Sequence, residues 1–135
     1  MSATPQLYAS ASVALGGGIG ALLRYQLGRM ITLWLGPQAV MVFPWATLAV
    51  NTIGSLLMGV LAGYLARHGQ GGDQARLLLG VGLLGGFTTF SAFSLELVLL
   101  MERGQWALMA IYLSLSVALG ITGLIFGMTV TRLFG

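Results

Sequence analysis

The chain has 135 residues, of which 57% are hydrophobic and only 7% are charged, and its mean hydropathy is +0.93. A soluble domain carries about 25% charged residues, so a water-solvated surface is excluded and an integral membrane protein is implied. The formal charge is +3, but there is no Lys and the arginines are scattered singly, which argues against a nucleic-acid partner, since phosphate binding needs cations converging on one face. The absence of Cys removes disulfides, thiolate metal sites and cysteine nucleophiles.

A helix crossing a hydrocarbon core of about 30 Å needs roughly 20 mainly apolar residues, because in lipid every backbone polar group must be paired within the segment. The first such segment covers residues 7–33 and carries Arg24 and Arg29 toward its far end. No Lys or Arg precedes Arg24, and the apolar run is long and interrupted by glycine, so a retained span is expected rather than a cleaved secretory signal. Pro37 and Pro44 mark a loop that feeds the second segment, residues 45–66, which has no charge at all. The most polar stretch, 67–73, leads to the third segment, residues 75–101, with Glu96 inside it. The fourth segment covers residues 105–134. Trp34, Trp45 and Trp106 all fall near segment ends, where indole prefers the headgroup region. These features predict an all-α membrane protein of one domain, residues 1–135, with four transmembrane helices and short loops.

Four crossings place both termini and the 67–73 loop on one side with Arg67, Arg76 and Arg132, against Arg24, Arg29 and Arg103 on the other. The three-against-three balance gives no preferred orientation. Either the chain inserts both ways, which permits a closed antiparallel pair, or a bias resides in residues near the span ends.

Polar and small residues are arranged in stripes. Thr47, Asn51 and Ser55 recur every fourth residue in the second segment, followed by Gly59 and Gly63 at the same spacing. In the fourth, Tyr112, Ser116, Gly120, Gly123 and Gly127 fall within about 80° on a helical wheel; in the first, Gly16, Gly20, Arg24 and Gly28 line up. The glycines are read as helix-packing positions. Asn51 and Arg24 are read as functional, since polar groups deep in lipid are costly. The third segment carries the run 80–94, in which the pair Gly85–Gly86 precedes Thr88, Thr89, Phe90, Ser91, Phe93 and Ser94. The glycine pair is expected to interrupt the helix near the bilayer midplane, with Thr88 or Thr89 capping a new one. Such a break frees carbonyls that can hold a cation and presents a half-helix N-terminus.

Hydroxyls and amides such as Ser116, Thr89 and Asn51 donate single hydrogen bonds, and the rim of a phenyl ring is the positive part of its quadrupole. A halide can be passed along such groups without being held too tightly to leave. The residues alone reach a small, polar-lined membrane pathway in an oligomer and leave the ion open.

The run 85–94 with Glu96, the run 47–54 and the glycines of 16–20 leading to Leu23, Arg24 and Tyr25 resemble the Fluc fluoride channels, also called the CrcB family. The resemblance covers nearly the whole chain in order, including the Glu102–Arg103–Gly104 turn. It implies an antiparallel dual-topology homodimer in the bacterial inner membrane, with two fluoride pores and passive export of cytoplasmic fluoride. The paired phenylalanines of the family carry over to Phe90 and Phe93, and its pore asparagine to Asn51. The polar track falls on Thr88, Thr89 and Ser91 of the third segment and on Ser116 with Tyr112 of the fourth, Ser114 being the alternative to Ser116. Thr47 belongs to the same pathway, and Arg24 matches a family arginine that draws anions toward it. A sodium ion on the dimer axis, held by backbone carbonyls, maps to Gly85 and Thr88. Glu96 matches a family glutamate beside the pore, with its role open. Phe87 stands where the family often has a smaller aliphatic residue.

Three other readings compete. A proton-coupled multidrug exporter would share four antiparallel spans but needs an acid in the first one, where this chain has Arg24, leaving Glu96 as its only candidate proton carrier. A helix-packing subunit would explain the glycines but not the hydroxyl-rich run after Gly86. An enzyme is disfavoured because His68, the sole histidine, lies in a polar loop without nucleophile or metal partners.

Overall fold

The structure is a computed structural model that describes residues 3–134. Four segments are long and apolar enough to cross a bilayer: Pro5–Leu35, Trp45–His68, Asp73–Glu102 and Trp106–Phe134. Each agrees with the segment expected from hydropathy to within a few residues.

Helix α1 (Ala3–Leu35) ends at Gly36, whose φ of 85° reverses the chain without a Cβ clash and delivers Pro37 to the first position of a short helix, α2 (Pro37–Val42). The connection expected to be a loop is therefore partly helical, since the fixed φ of proline suits a first helical position. Phe43, which is extended, and Pro44, at ψ 65°, then lead into α3 (Trp45–His68), whose last turn carries His68 and the cation Arg67, which suits a helix C-terminus.

The third crossing is compound. After a 3₁₀ turn (Gly69–Gly72) it runs as α4 (Asp73–Ala75), a π-helical stretch (Arg76–Leu84) and α5 (Gly85–Phe87), then resumes as α6 (Phe90–Glu102). Thr88 and Thr89 between them are extended, with φ, ψ of −79°, 159° and −149°, 119°. The glycine pair was expected to be the interruption itself, but Gly85 and Gly86 are helical and the backbone departs two residues later. Gly86 instead permits close packing: a Cβ there would collide with the carbonyl oxygen of Gly17 in α1. Helix α6 ends at a turn in which Gly104, at φ 71°, lets the amides of Gly104 and Gln105 bond the carbonyls of Met101 and Leu100 at 2.9 Å. Helix α7 (Trp106–Phe134) completes the chain.

The glycine stripes are contact lines. Helices α3 and α7 make the most extensive packing in the chain. A Cβ on Gly59 would run into the Leu124 carbonyl, and one on Gly127 into that of Leu56. Helix α1 lies against the π-helical stretch in the same way, with Gly16 on the Leu78 carbonyl and Gly20 on that of Leu83. Such backbone approach is how helices associate where lipid removes the hydrophobic drive between them. The buried cluster is small, comprising Phe43, Leu48, Phe93, Leu100 and Tyr112 where α3, α6 and α7 meet. Large apolar side chains such as Leu33, Phe126 and Phe134 point outward instead, the inversion expected when the surroundings are hydrocarbon or another apolar surface.

Candidate functional site

Polar groups meet at two places, one joining the second and third crossings at Thr89 and one joining the second, third and fourth at Glu96. The first is built on the extended pair. Thr88 closes α5: its amide and its Oγ1 both donate to the Leu84 carbonyl, at 3.0 and 2.8 Å. Thr89 opens α6: its Oγ1 accepts the Ala92 amide at 3.2 Å, a side-chain N-cap of the kind the sequence suggested. Thr89 cannot bond its own main chain as a helical residue would, and Asn51 of α3 supplies the missing partners. Asn51 Nδ2 donates to the Thr89 carbonyl at 3.0 Å, and the Thr89 amide donates to Asn51 Oδ1 at 2.8 Å. Gly54, one turn further along α3, makes room for this contact; a Cβ there would collide with Thr88 Cγ2.

The second place is a carboxylate held by two hydroxyls. Thr47 Oγ1 donates to Glu96 Oε1 and Tyr112 Oη donates to Glu96 Oε2, both at 2.6 Å. Tyr112 is fully buried and Thr47 nearly so. The Tyr112 ring meets the rings of Phe43 and Phe93 edge-on, at centroid distances of 5.5 and 5.2 Å. Glu96 is thus anchored by α3 and α7 at once, and it also borders a cleft of about 170 Å³ with Arg103.

Phe90 and Phe93, one helical turn apart, have centroids 5.9 Å apart but opposite surroundings. Phe93 is 9% exposed and belongs to the core, whereas Phe90 is 79% exposed. Ser91 is exposed beside them, its Oγ 3.4 Å from Thr89 Oγ1. Two clefts flank Thr89. One, of about 200 Å³, brings it together with Arg24, Gly28 and Thr47; the other, of about 270 Å³, with Asn51, Ser55, Thr88 and Phe90. Arg24 therefore shares a cleft with Thr47 and Thr89, and Asn51 shares one with Phe90. Ser116 is placed differently: its hydroxyl oxygen is buried and has no hydrogen-bond partner among the described residues. Gly85, the first residue of α5, is exposed.

Sequence reasoning did not single out Gly54 or Thr52. The Thr52 hydroxyl is buried without a partner among the described residues. The signal for Gly54 was its spacing of three from Asn51, which puts both on neighbouring positions of one face.

The profile of the family described as CrcB-like protein, Camphor Resistance (CrcB), matches residues 11–128. The chain belongs to the CrcB family. It is 63% identical to a protein of Erythrobacter litoralis named fluoride-specific ion channel FluC, over 99% of both chains. A protein of the same name from Novosphingobium aromaticivorans is 60% identical over 92% of this chain and 96% of its own. Another from Rhizobium etli is 48% identical over 89% of this chain and 93% of its own. The matched region of the CrcB profile contains both polar clusters, both flanking clefts and the glycine contact lines. The family is one of ion channels, not of enzymes. His68, expected in a polar loop, is the last residue of α3, where it stacks on Tyr64 at a centroid distance of 4.1 Å.

Proposed function

We propose that this multi-pass membrane protein is a fluoride-selective channel that lets cytoplasmic fluoride leave the cell passively, across the bacterial inner membrane. The observation that carries this reading is the extended Thr88–Thr89 pair. It lies midway along a 30-residue crossing and is flanked by clefts that hold Arg24, Asn51, Ser55 and Phe90. It occurs in a chain whose relatives at 60% identity and above are named for fluoride. We place this interruption near the bilayer midplane, where non-helical backbone is tolerated only inside protein or along a wet path.

The groups along such a path donate single hydrogen bonds or offer the positive edge of a ring, which suits a small hard anion that must be passed on quickly. Phe90 and Phe93 supply ring edges; Asn51, Thr89, Ser91 and Ser116 supply donors; Thr47 and Tyr112 hold Glu96 beside the path; Arg24 attracts anions to its mouth. The working unit in this reading is an antiparallel homodimer with two pores. Its support is the even distribution of arginines between the two sides and the outward-facing apolar and polar residues of every crossing.

A sodium ion would belong to the same unit. The Thr89 amide, which in a continuous helix would bond the Gly85 carbonyl, is used by Asn51 instead. The carbonyls at the end of α5 are thereby released from the helical ladder, and a donor set made only of oxygens suits a hard cation. Gly85 and Thr88 are the residues that would hold it, and its charge would neutralise carbonyl dipoles at the centre of the dimer.

Fluoride enters cells as neutral HF, ionises in the less acidic cytoplasm and is trapped. An inside-negative potential then drives the anion outward with about 2.3 kcal/mol per charge per 100 mV. Purified protein in potassium-fluoride-loaded vesicles, given valinomycin to release counter-charge, is expected to empty them of fluoride far faster than matched vesicles lose chloride. Equal rates for the two halides, or no fluoride release above protein-free vesicles, would overturn the proposal.

A further inference from the structure

The glycine line of α1 changes character at Gly28. Gly16 and Gly20 lie so close to the third crossing that a Cβ on either would collide with a carbonyl oxygen, of Leu78 or of Leu83. The nearest atom to a Cβ on Gly28 would be Ala46 Cβ, at 3.9 Å. That is ordinary contact, so packing does not demand glycine there. Gly28 instead borders open space on two sides. It lines the cleft of about 200 Å³ that reaches Thr47 and Thr89, and also a wider one, of about 460 Å³, that carries Arg29 and Thr32. Arg24, Gly28 and Ala46 belong to the walls of both. The two clefts are therefore neighbours along α1, and Gly28 and Ala46 form the step between them.

The charges on these walls decide what fills the clefts. Arg24 and Arg29 precede the end of α1 at Leu35 by eleven and six residues, about 16 and 9 Å along the helix axis. Neither guanidinium has a hydrogen-bond or ion-pair partner among the described residues, and neither cleft is lined by a carboxylate. A cation at such depth in a bilayer keeps its charge only in water or against an anion. The clefts are thus wet in the membrane, and two uncompensated positive charges draw anions along them. We infer that the wider cleft is the entrance to the Thr89 step, that Arg29 is a further anion-collecting residue in it, and that Gly28 keeps the neck between the two clefts open. A side chain larger than a methyl group at that position would stand in the passage. This inference rests on the fluoride reading and adds to it an approach route and the residue that sets its width.

The chain has no Cys, so Gly28→Cys introduces a single thiol. In fluoride-loaded vesicles treated on both faces with a cationic, water-soluble methanethiosulfonate, that thiol is expected to react and fluoride release to fall at least about tenfold, returning when a reductant strips the adduct. An added positive charge acting through its field alone would speed an anion, so a fall reports closure of the neck. Gln74→Cys, at an exposed position of α4 away from both clefts, should take the same reagent and keep its flux. A Gly28→Cys thiol that reacts without loss of flux, or that reacts in micelles but not in bilayers because lipid fills the clefts, would overturn the inference. A second arm needs no reagent. Gly28→Leu should cut flux at least about tenfold while resisting unfolding as well as the natural protein or better, since a helix gains from losing glycine; undiminished flux, or a loss that comes only with collapse of the fold, refutes the neck. Arg29→Gln should slow release several-fold at about 10 mM salt and little at about 1 M, and a deficit equal at both removes Arg29 from the route. Natural protein that passes no fluoride would sink the fluoride reading itself, whereas a conducting protein indifferent to every change at Gly28 would sink the neck alone.

Discussion

Replacing Tyr112 by Phe removes one oxygen from a fully buried side chain. The ring keeps its edge-on contacts with Phe43 and Phe93, so no packing is lost beyond the hydroxyl itself. What disappears is one of the two 2.6 Å hydrogen bonds to Glu96. Bonds to a charged acceptor contribute about 1.5–3 kcal/mol in soluble proteins, but interhelical bonds in membranes average about 0.6 and reach about 1.7 kcal/mol. Two structural facts oppose each other: the full burial of Tyr112 raises the cost of losing its bond, and the cleft beside Glu96, from which water can reach the freed oxygen, lowers it toward the membrane range. We expect Tyr112→Phe to cost about 1–2 kcal/mol, and Thr47→Val a similar amount. Because both hydroxyls serve one carboxylate, the double variant should depart from additivity by more than about 0.5 kcal/mol. Reversible unfolding in mixed micelles with rising denaturing detergent measures all three. A neutral Tyr112→Phe, or strict additivity with Thr47→Val, would refute the view that α3, α6 and α7 are tied together through Glu96.

The glycine contact lines predict opposite signs for two alanine substitutions. Gly59→Ala should destabilise by about 1–3 kcal/mol because its Cβ meets the Leu124 main chain, which cannot yield locally, whereas Gly18→Ala, with nothing within 4 Å, should be neutral or stabilising by up to about 1 kcal/mol; unfolding curves that move the same way for both would contradict the packing. Phe93→Ala is expected to cost about 3 kcal/mol of stability, while Phe90→Ile, at a largely exposed ring, should change stability by less than about 0.5 kcal/mol and still cut fluoride flux. Equal unfolding effects, or undiminished flux in Phe90→Ile, would reject the division of labour between the two rings. Arg24→Gln should slow fluoride flux several-fold at 10 mM salt and hardly at all at 1 M, as the screening length shrinks from about 30 to 3 Å; a deficit independent of salt would mean that Arg24 does not act through its field.

The crossings were legible in the sequence because charge and hydropathy change abruptly at Gly36, Arg67 and Glu102, and lipid tolerates little ambiguity in either. The contact lines were legible too, since small residues at a spacing of four have few other uses in a membrane helix. The Thr89 cap could be anticipated from hydroxyls next to glycine. The π-helical stretch could not, because a shift from i−4 to i−5 bonding leaves composition and hydropathy untouched. Nor could the site of departure from the helix. Gly85 and Gly86 look like breakers, but in the folded chain both are helical, Gly86 serves approach to Gly17, and the departure falls where Asn51 can satisfy the exposed main chain. That pairing joins residues 38 apart, and the Glu96 anchors come from positions 49 and 16 residues away. Local propensity carries no trace of such partners. The same holds for Phe90 and Phe93, identical in type and one turn apart, whose burial differs because Phe43, Leu48 and Tyr112 gather with Phe93 alone.

Current recorded across a planar bilayer with opposed gradients of fluoride and chloride, both ions being present on both sides, tests selective passive conduction most directly. The account predicts a zero-current potential close to the fluoride equilibrium potential and indifferent to a proton gradient. A potential that sits with chloride, or that tracks the proton gradient, would contradict it.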